Sequence, residues 1–424
     1  MFLNKLVITL CLCMWVSQAG ASETLHFVMW KPNQPELWDR IVGIFERETG
    51  VSVIREIGPH SSTAAHALVT QKLKNRDPKL DVFMMDVTWP PEFAAAGWAS
   101  SLDRFFAEEQ RQDFFPGAIR ACTFRGKLYG IPFWTSGGLL YYRKDLLQKY
   151  GFDPPTTWEQ LVRQADTIVR GERKDNPALK GYSGQFKQYE GLVCDMQEFV
   201  LSNNGRLLDY ESRKSTIGLP ANLQAVRFVR DRIIGKIASR GVLTYEEPES
   251  LHVFIQGHAV FLRNWPYAWA ISNDPNKSRV AGLVDITVLP HFPGGQSAST
   301  LGGWQFAMSR FSTKKQLAWT FIEFMTSPRI QKILAIDASQ APARKSVYRD
   351  PEVLEKNPHF AKLSAVFENT RPRPAMPLYP LYSAILQRFY HKAISHERSP
   401  LEKLAEQADD QVRYLLQLQE EAGM

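Results

Sequence analysis

The chain has 424 residues, 44% hydrophobic and 22% charged, with a formal net charge of +7 and 11 tryptophans. That length exceeds one ordinary core, so about two domains are expected. Basic residues are interleaved with acids, as between Arg163 and Lys174, and there is no basic stripe or zinc-finger spacing. The charge pattern therefore argues against a nucleic-acid partner.

Residues 1–21 read as an export signal. Lys5 stands in a short n-region, Leu6 to Val16 is an apolar run too short to span a bilayer, and Ala19-Gly20-Ala21 has the cleavage pattern. Leu10 and Leu12 precede Cys11 and Cys13 where a lipoprotein needs a small residue. No later run is long and apolar enough for a transmembrane helix, so an exported, soluble mature chain is expected. Cleavage leaves Cys122 and Cys194. An even pair in an exported chain makes a Cys122–Cys194 disulfide the expectation, with two separate buried thiols as the alternative.

In chain order, Leu25 to Trp30 reads as a strand, and Leu37, Ile41, Ile44 and Phe45 mark an amphipathic helix that Gly50 stops. Val51 to Ile54 alternates into a second strand, Ala64 to Lys74 is helical, and Asp81 to Met85 is a third strand. This β-α-β-α-β order predicts a parallel sheet with ligands beyond its carboxyl ends, where Asp86 stands. Pro90 and Pro91 suit the first turn of the next helix, and Gly97 ends it. A hairpin-like piece over Gly126 to Phe133 precedes a strand at Leu139 to Tyr142 and a helix ending at Gly151. Thr156 to Glu159 has capping-box spacing. Helices follow near Gly191 to Ser202, Leu219 to Ile234 and Glu247 to Gln256, with strands at Ala259 to Leu262 and Ile286 to Leu289. From Lys314 onward the pattern is nearly all helix; Ser399, Pro400 and Glu402 mark the start of the last one.

Enzyme signatures are sparse. The nine histidines are dispersed, and HExxH, CxxC, GxSxG, GxGxxG and P-loop patterns do not occur, so no metal and no cofactor is expected. Ser312 to Lys315 matches SxxK, but its partner motifs are missing and Ser312 stands where a helix N-cap belongs. A glycoside hydrolase using two carboxylates stays open as the alternative class, since 44 acids could supply a pair. A sensory or adhesion module built on a sugar-binding fold is a third.

Four tryptophans sit beside Pro or Gly in segments read as loops: Trp89 after Asp86, Trp134 before Gly137-Gly138, Trp265 in Asn264-Trp265-Pro266-Tyr267, and Trp304 after Gly302-Gly303. Indoles that converge with carboxylates and arginines suit a sugar: a pyranose lays its C–H face on an aromatic ring while its hydroxyls need acceptors and donors.

The segments "ELWDRIVGIFERETGVSV", "DVFMMDVTWPPEFAAAGWASSLD", "GKLYGIPF", "GGLLYYRKDLLQKYG", "FIQGHAVFLRNWPY", "LGGWQFAMS" and "RPRPAMPLYPLYSAILQ", in that order, resemble the extracellular solute-binding proteins of ABC sugar importers, nearest the trehalose/maltose-binding branch. The resemblance covers nearly the whole mature chain. It implies an α/β, two-lobed periplasmic-binding-protein fold, each lobe a mainly parallel sheet flanked by helices, with a helical C-terminal region. Lobe 1 is expected over 22–133 plus about 297–345 and lobe 2 over 134–296 plus about 346–424, with the ligand between them. It also implies a periplasmic, monomeric, non-enzymatic carrier that hands an α-glucoside to the transmembrane subunits of a permease. By motif match, Glu36 and Asp86 resemble sugar-binding carboxylates and Trp265 and Trp304 stacking residues, with Trp89, Trp134 and Tyr267 as further aromatics. Gly303 would admit the sugar against backbone, and Arg371 resembles a hydroxyl-binding arginine. Ser136 stands where α-glucoside-binding relatives often carry Asp, so a smaller glucoside, such as one with a glycerol aglycone, also fits.

Overall fold

Leu25, Phe27 and Met29 alternate along the first strand and are buried on one face. A computed structural model describes residues 23–423, apart from 33, 210, 211, 213, 399 and the side chain of 364. The expected export signal over 1–21 and the expected cap Ser399 lie outside these described residues. Two sheets are built from β1 (Thr24–Met29), β2 (Ser52–Ile57), β3 (Val82–Asp86), β4 (Ile131–Gly137), β5 (Leu139–Arg143), β6 (Lys180–Ser183), β7 (Ala259–Asn264), β8 (Val284–Thr287), β9 (Ser299–Met308) and β10 (Thr370–Arg371).

The first sheet runs β10-β9-β3-β1-β2, with β4 also on β9; the second runs β8-β5-β7-β6. The β1–β2, β1–β3 and β9–β10 pairs are parallel, but β9 runs antiparallel to both β3 and β4. In the second sheet only β6–β7 is parallel. The sheets are thus mixed rather than mainly parallel. The β-α-β start is parallel as expected, and the antiparallel pairings come from strands that pass between the sheets. Gly138 alone separates β4, in the first sheet, from β5, in the second.

Each sheet has its own core. Ile41 and Phe45 from the helix Pro35–Thr49 pack with Phe27, Phe306 and Phe321 in the first. Gly50 ends that helix in the left-handed region at φ 72°, its N–H donating to the Glu46 carbonyl at 2.9 Å. In the second core Trp158 stacks on Phe199 at 4.0 Å, and the C-terminal helices Tyr379–Ser395 and Leu401–Glu421 add Tyr382, Leu386, Ala405 and Val412.

Three local expectations are corrected. The capping box opens at Thr157, not Thr156: the Thr157 hydroxyl accepts from Gln160 N–H, and Gln160 Oε1 accepts from Thr157 N–H. Trp134 and Trp304 lie on β4 and β9, not on loops. The two glycines in β9 disguise it, but strands on both sides supply its ladder bonds. The Cys122–Cys194 disulfide is not formed. Cys122 lies in the first core and its thiol donates to Gln305 Oε1 at 2.5 Å, whereas Cys194 belongs to the helix Glu190–Leu201 beside the second core. Burial pushes both thiols well above their usual pKa and keeps them protonated.

His359 offers a stability test. It is buried, stacked on Trp269 at 4.4 Å, with neither ring nitrogen hydrogen-bonded among the described residues. Burial lowers its pKa from 6.5 to about 3. Between those values the unfolded chain binds the proton and the folded chain does not. Stability therefore falls as pH drops through that window, by up to about 1.4 kcal/mol per pH unit. Urea midpoints of His359→Phe should show a flatter acid slope than the parent; an unchanged slope would clear His359 of this role.

Candidate functional site: an interlobe cavity

The strand ends meet at a partly open cavity of about 110 Å³, lined from both sheets. Asp86 ends β3 and turns the chain there. Its Oδ1 accepts from Thr88 N–H at 3.1 Å and Thr88 Oγ1 at 2.9 Å, a side-chain-capped turn. Trp304 stands opposite Asp86 on one side and Trp134 on the other. Trp30, just after β1, lies 5.0 Å from the Trp134 ring and 5.9 Å from Trp304, so three indoles form one wall. Gly303 has φ 141°, and a Cβ there would sit 2.6 Å from the Trp134 carbonyl oxygen; only glycine lets β9 approach β4 at this point.

The facing wall is the segment after β7. Trp265 N–H donates to Asn264 Oδ1 at 2.8 Å, and Tyr141 Oη donates to the Trp265 and Pro266 carbonyls. The Trp265 indole donates Nε1–H to Glu247 Oε1 at 3.1 Å and lies 4.1 Å from the Arg263 guanidinium on one face. Tyr189 Oη holds the other Glu247 oxygen at 2.8 Å. Arg263 is buried between Asp195 and Glu198, bidentate to Glu198 at 2.8 and 2.6 Å. Burial raises the Asp195 carboxyl well above the carboxylate range against the pull of Arg263, and the adjacent Glu198 charge raises it further.

Arg373 joins the walls. It is 5% exposed, donates to Asp86 Oδ1 at 3.3 Å, Glu190 Oε1 at 2.6 Å and the Leu301 carbonyl at 3.3 Å, and borders the cavity. Its Nε is buried without a hydrogen-bond partner among the described residues. Such an unpaired buried donor costs about 1–3 kcal/mol. Glu190 is fully engaged, accepting also from Tyr379 Oη at 2.5 Å and from Ser383 Oγ. The wall thus pairs indole faces with carboxylates, and among the described residues each carboxylate that borders the cavity, Asp86, Glu190 and Glu247, already has hydrogen-bond partners.

Residues 31–332 match the family model of the bacterial extracellular solute-binding proteins. The chain belongs to that family. Its members bind solutes and are not enzymes. A probable ABC transporter-binding protein of Deinococcus radiodurans is 37% identical over 344 residues, 81% of each chain. The maltose-bound MalE3 of T. maritima is 36% identical, with a TM-score of 0.88 over 93% of this chain and 100% of that one. The maltotriose binding protein of Thermus thermophilus shares the fold at 21% identity, with a TM-score of 0.77 over 92% of this chain. Among the described residues no helix is long and apolar enough to cross a membrane.

In this solute-binding protein six of the expected residues, Asp86, Trp134, Trp265, Tyr267, Gly303 and Trp304, border one cavity, as does Ser136. Three do not. Glu36 is exposed in the first turn of the helix Pro35–Thr49. Trp89 is buried behind the wall, its ring edge-on to Trp304 at 5.5 Å. Arg371 is exposed, with Nη1 donating to the Glu368 and Thr370 carbonyls. The cavity takes Arg373 instead. Two arginines alternate with prolines in Arg371-Pro372-Arg373-Pro374, and the sequence pattern does not say which turns inward. Trp30, Tyr189, Glu190 and Glu247 also border it and were not singled out as site residues. Trp30 alone carried a signal: like Asp86, it follows a strand of the parallel start.

Arg373→Ala would strand two buried carboxylates. It should cost about 3–5 kcal/mol in urea unfolding. A loss below about 1 kcal/mol would show that Arg373 is not the tie between Asp86 and Glu190.

Proposed function

We propose that the chain is the sugar-binding component of an ABC importer, taking up an α-glucoside of disaccharide size, or a small glucoside. The observation that carries this reading is the convergence of Trp134 and Trp304 from one sheet and Trp265 from the other on a single cavity that also holds the Asp86–Arg373 pair. An indole removes the C–H face of a pyranose from water. Asp86 offers its carboxylate to the ring hydroxyls at the end of β3. The likeness to a maltose-bound protein at 36% identity supports the α-glucoside class. Ser136 leaves that side of the cavity without a charge and favours a ligand asking for fewer acceptors there.

In this reading lobe 1 comprises 22–133 plus about 297–345 and lobe 2 the remainder, the lobes close by a hinge at the crossing segments, and the closed form docks on the permease. Residues 1–21 act as an export signal, the periplasm is the site of action, and the carrier works as a monomer. Glu36, Trp89 and Arg371 fall outside the contact set.

The test is a thermal-shift and calorimetric panel of maltose, trehalose, maltotriose, glucosylglycerol and glucose. A ligand bound only by the folded state raises Tm, and a Kd near micromolar, about −8 kcal/mol, is expected. No response to any sugar would overturn the reading, and steady release of chromophore from a chromogenic α-glucoside would replace it with the hydrolase. Trp304→Ala should weaken binding of the responding sugar by about 1–3 kcal/mol. Unchanged affinity in the folded variant would remove Trp304 from the site.

A further inference from the structure

At the cavity mouth a ring nitrogen of His60 and one carboxylate oxygen from each of Glu246 and Glu247 lie within 4.8 Å of one another. The three come from opposite sides. His60 stands in the turn that leaves β2, the edge strand of the first sheet, and Glu246 and Glu247 open the helix Glu247–Ile255, which packs in the second lobe. His60 and Glu247 both border the cavity. The His60 Nδ1 atom is buried and has no hydrogen-bond partner among the described residues, so the imidazole has an unused ring nitrogen.

We propose that His60, Glu246 and Glu247 form a divalent transition-metal site that bridges the lobes. One imidazole and two carboxylates are a donor set suited to Zn²⁺, and three protein ligands leave a fourth position for water or a ligand hydroxyl on the cavity side. The imidazole selects against Ca²⁺ and Mg²⁺, which prefer all-oxygen shells. Existing contacts hold the carboxylates: Tyr189 Oη and Trp265 Nε1 donate to Glu247, and Lys187 Nζ lies 2.7 Å from Glu246 Oε1. The lysine charge opposes a cation, which argues for a site of moderate affinity. A metal held from both lobes favours their approach, so by linkage metal and cavity ligand strengthen each other by the same factor.

The test uses the chain purified without a polyhistidine tag and stripped with EDTA. Titration with ZnCl₂ should give one site and raise Tm reversibly, with no response to MgCl₂. His60→Ala and Glu246→Gln should each lower Zn²⁺ affinity by more than about tenfold, while His291→Ala, away from the cavity, should not. Thermal unfolding without metal checks that each variant is folded. Absence of a Zn²⁺ site, or affinity undiminished in a folded His60→Ala/Glu246→Gln double variant, would overturn the proposal. This metal arm needs no sugar, so its outcome is separate from that of the sugar reading. With maltose as probe, Zn²⁺ that binds without changing maltose affinity, in a chain shown to bind maltose, would overturn the bridging.

Discussion

The structure hangs on one helix that carries charge through the interior. Residues Glu190 to Val200 of the helix Glu190–Leu201 are all buried, and among them are Glu190, Asp195, Gln197 and Glu198. Buried acids are tolerable only when paired and hydrogen-bonded. The partners here are the segments that pass between the sheets. Glu198 Oε1 accepts from Thr300 N–H at 3.0 Å, and the Cys194 carbonyl from Thr300 Oγ1 at 2.9 Å, which anchors the start of β9. Gln197 donates to the Arg371 carbonyl at 3.0 Å, and Glu190 binds Arg373 two residues on. At the β4–β5 crossing, a Cβ on Gly138 would lie 1.9 Å from Glu198 Oε1, so the chain slides past the carboxylate only because that residue is glycine. Positions 190, 194, 197 and 198 recur at helical spacing and share one face.

That constraint sets the cavity. Arg263, held between Asp195 and Glu198, is the platform on which Trp265 lies, so the indole's orientation traces back to the buried acids. Arg373, held by Glu190, fixes Asp86 at the end of β3. Glu247 supplies the second restraint on Trp265, through Nε1. Binding groups positioned through such second contacts are pre-organised, and less side-chain freedom is lost when a ligand arrives. Hydrophobic replacements of similar volume could stabilise the interior more than these ion pairs do. What the pairs contribute is direction: Glu198 accepts from Thr300 at the start of β9 and Glu190 from Arg373, alongside their other partners.

The amino-acid pattern made much of this legible. The parallel start β1-β2-β3, the helix stops at Gly50, Gly97, Gly151 and Gly257, and the position of Asp86 at a strand end all follow from periodicity and turn chemistry. Gly97, Gly151 and Gly257 stand at φ 68°, 67° and 81°. The antiparallel strands were less visible because their evidence is non-local. Ser299–Met308 contains two glycines and reads as a loop until β3 and β4 are placed beside it. Arg373 and Glu190 were hidden for a related reason: a buried ion pair between residues 183 positions apart leaves no local trace. The disulfide expectation failed because export and an even cysteine count describe a compartment, whereas bonding requires two Cα atoms within about 7 Å.

Trp89 shows how motif matching and geometry part company. Its neighbourhood, Asp86 to Pro91, is the segment that best marks the binding wall, yet the indole itself turns inward. It packs on His66 at 5.2 Å and Phe93 at 5.6 Å, and it meets Trp304 edge-on. The two prolines after it start the helix Pro90–Ala95 at once, so Trp89 becomes the helix's cap residue and its side chain follows that turn into an apolar cluster with Val28, Phe83 and Phe93. Trp304, on an extended strand, keeps one side toward the cavity and is supported from behind by Trp89. The sequence supplies both indoles on the same side of the cavity, Trp304 bordering it and Trp89 behind; the difference comes from backbone direction, strand in one case and helix entry in the other.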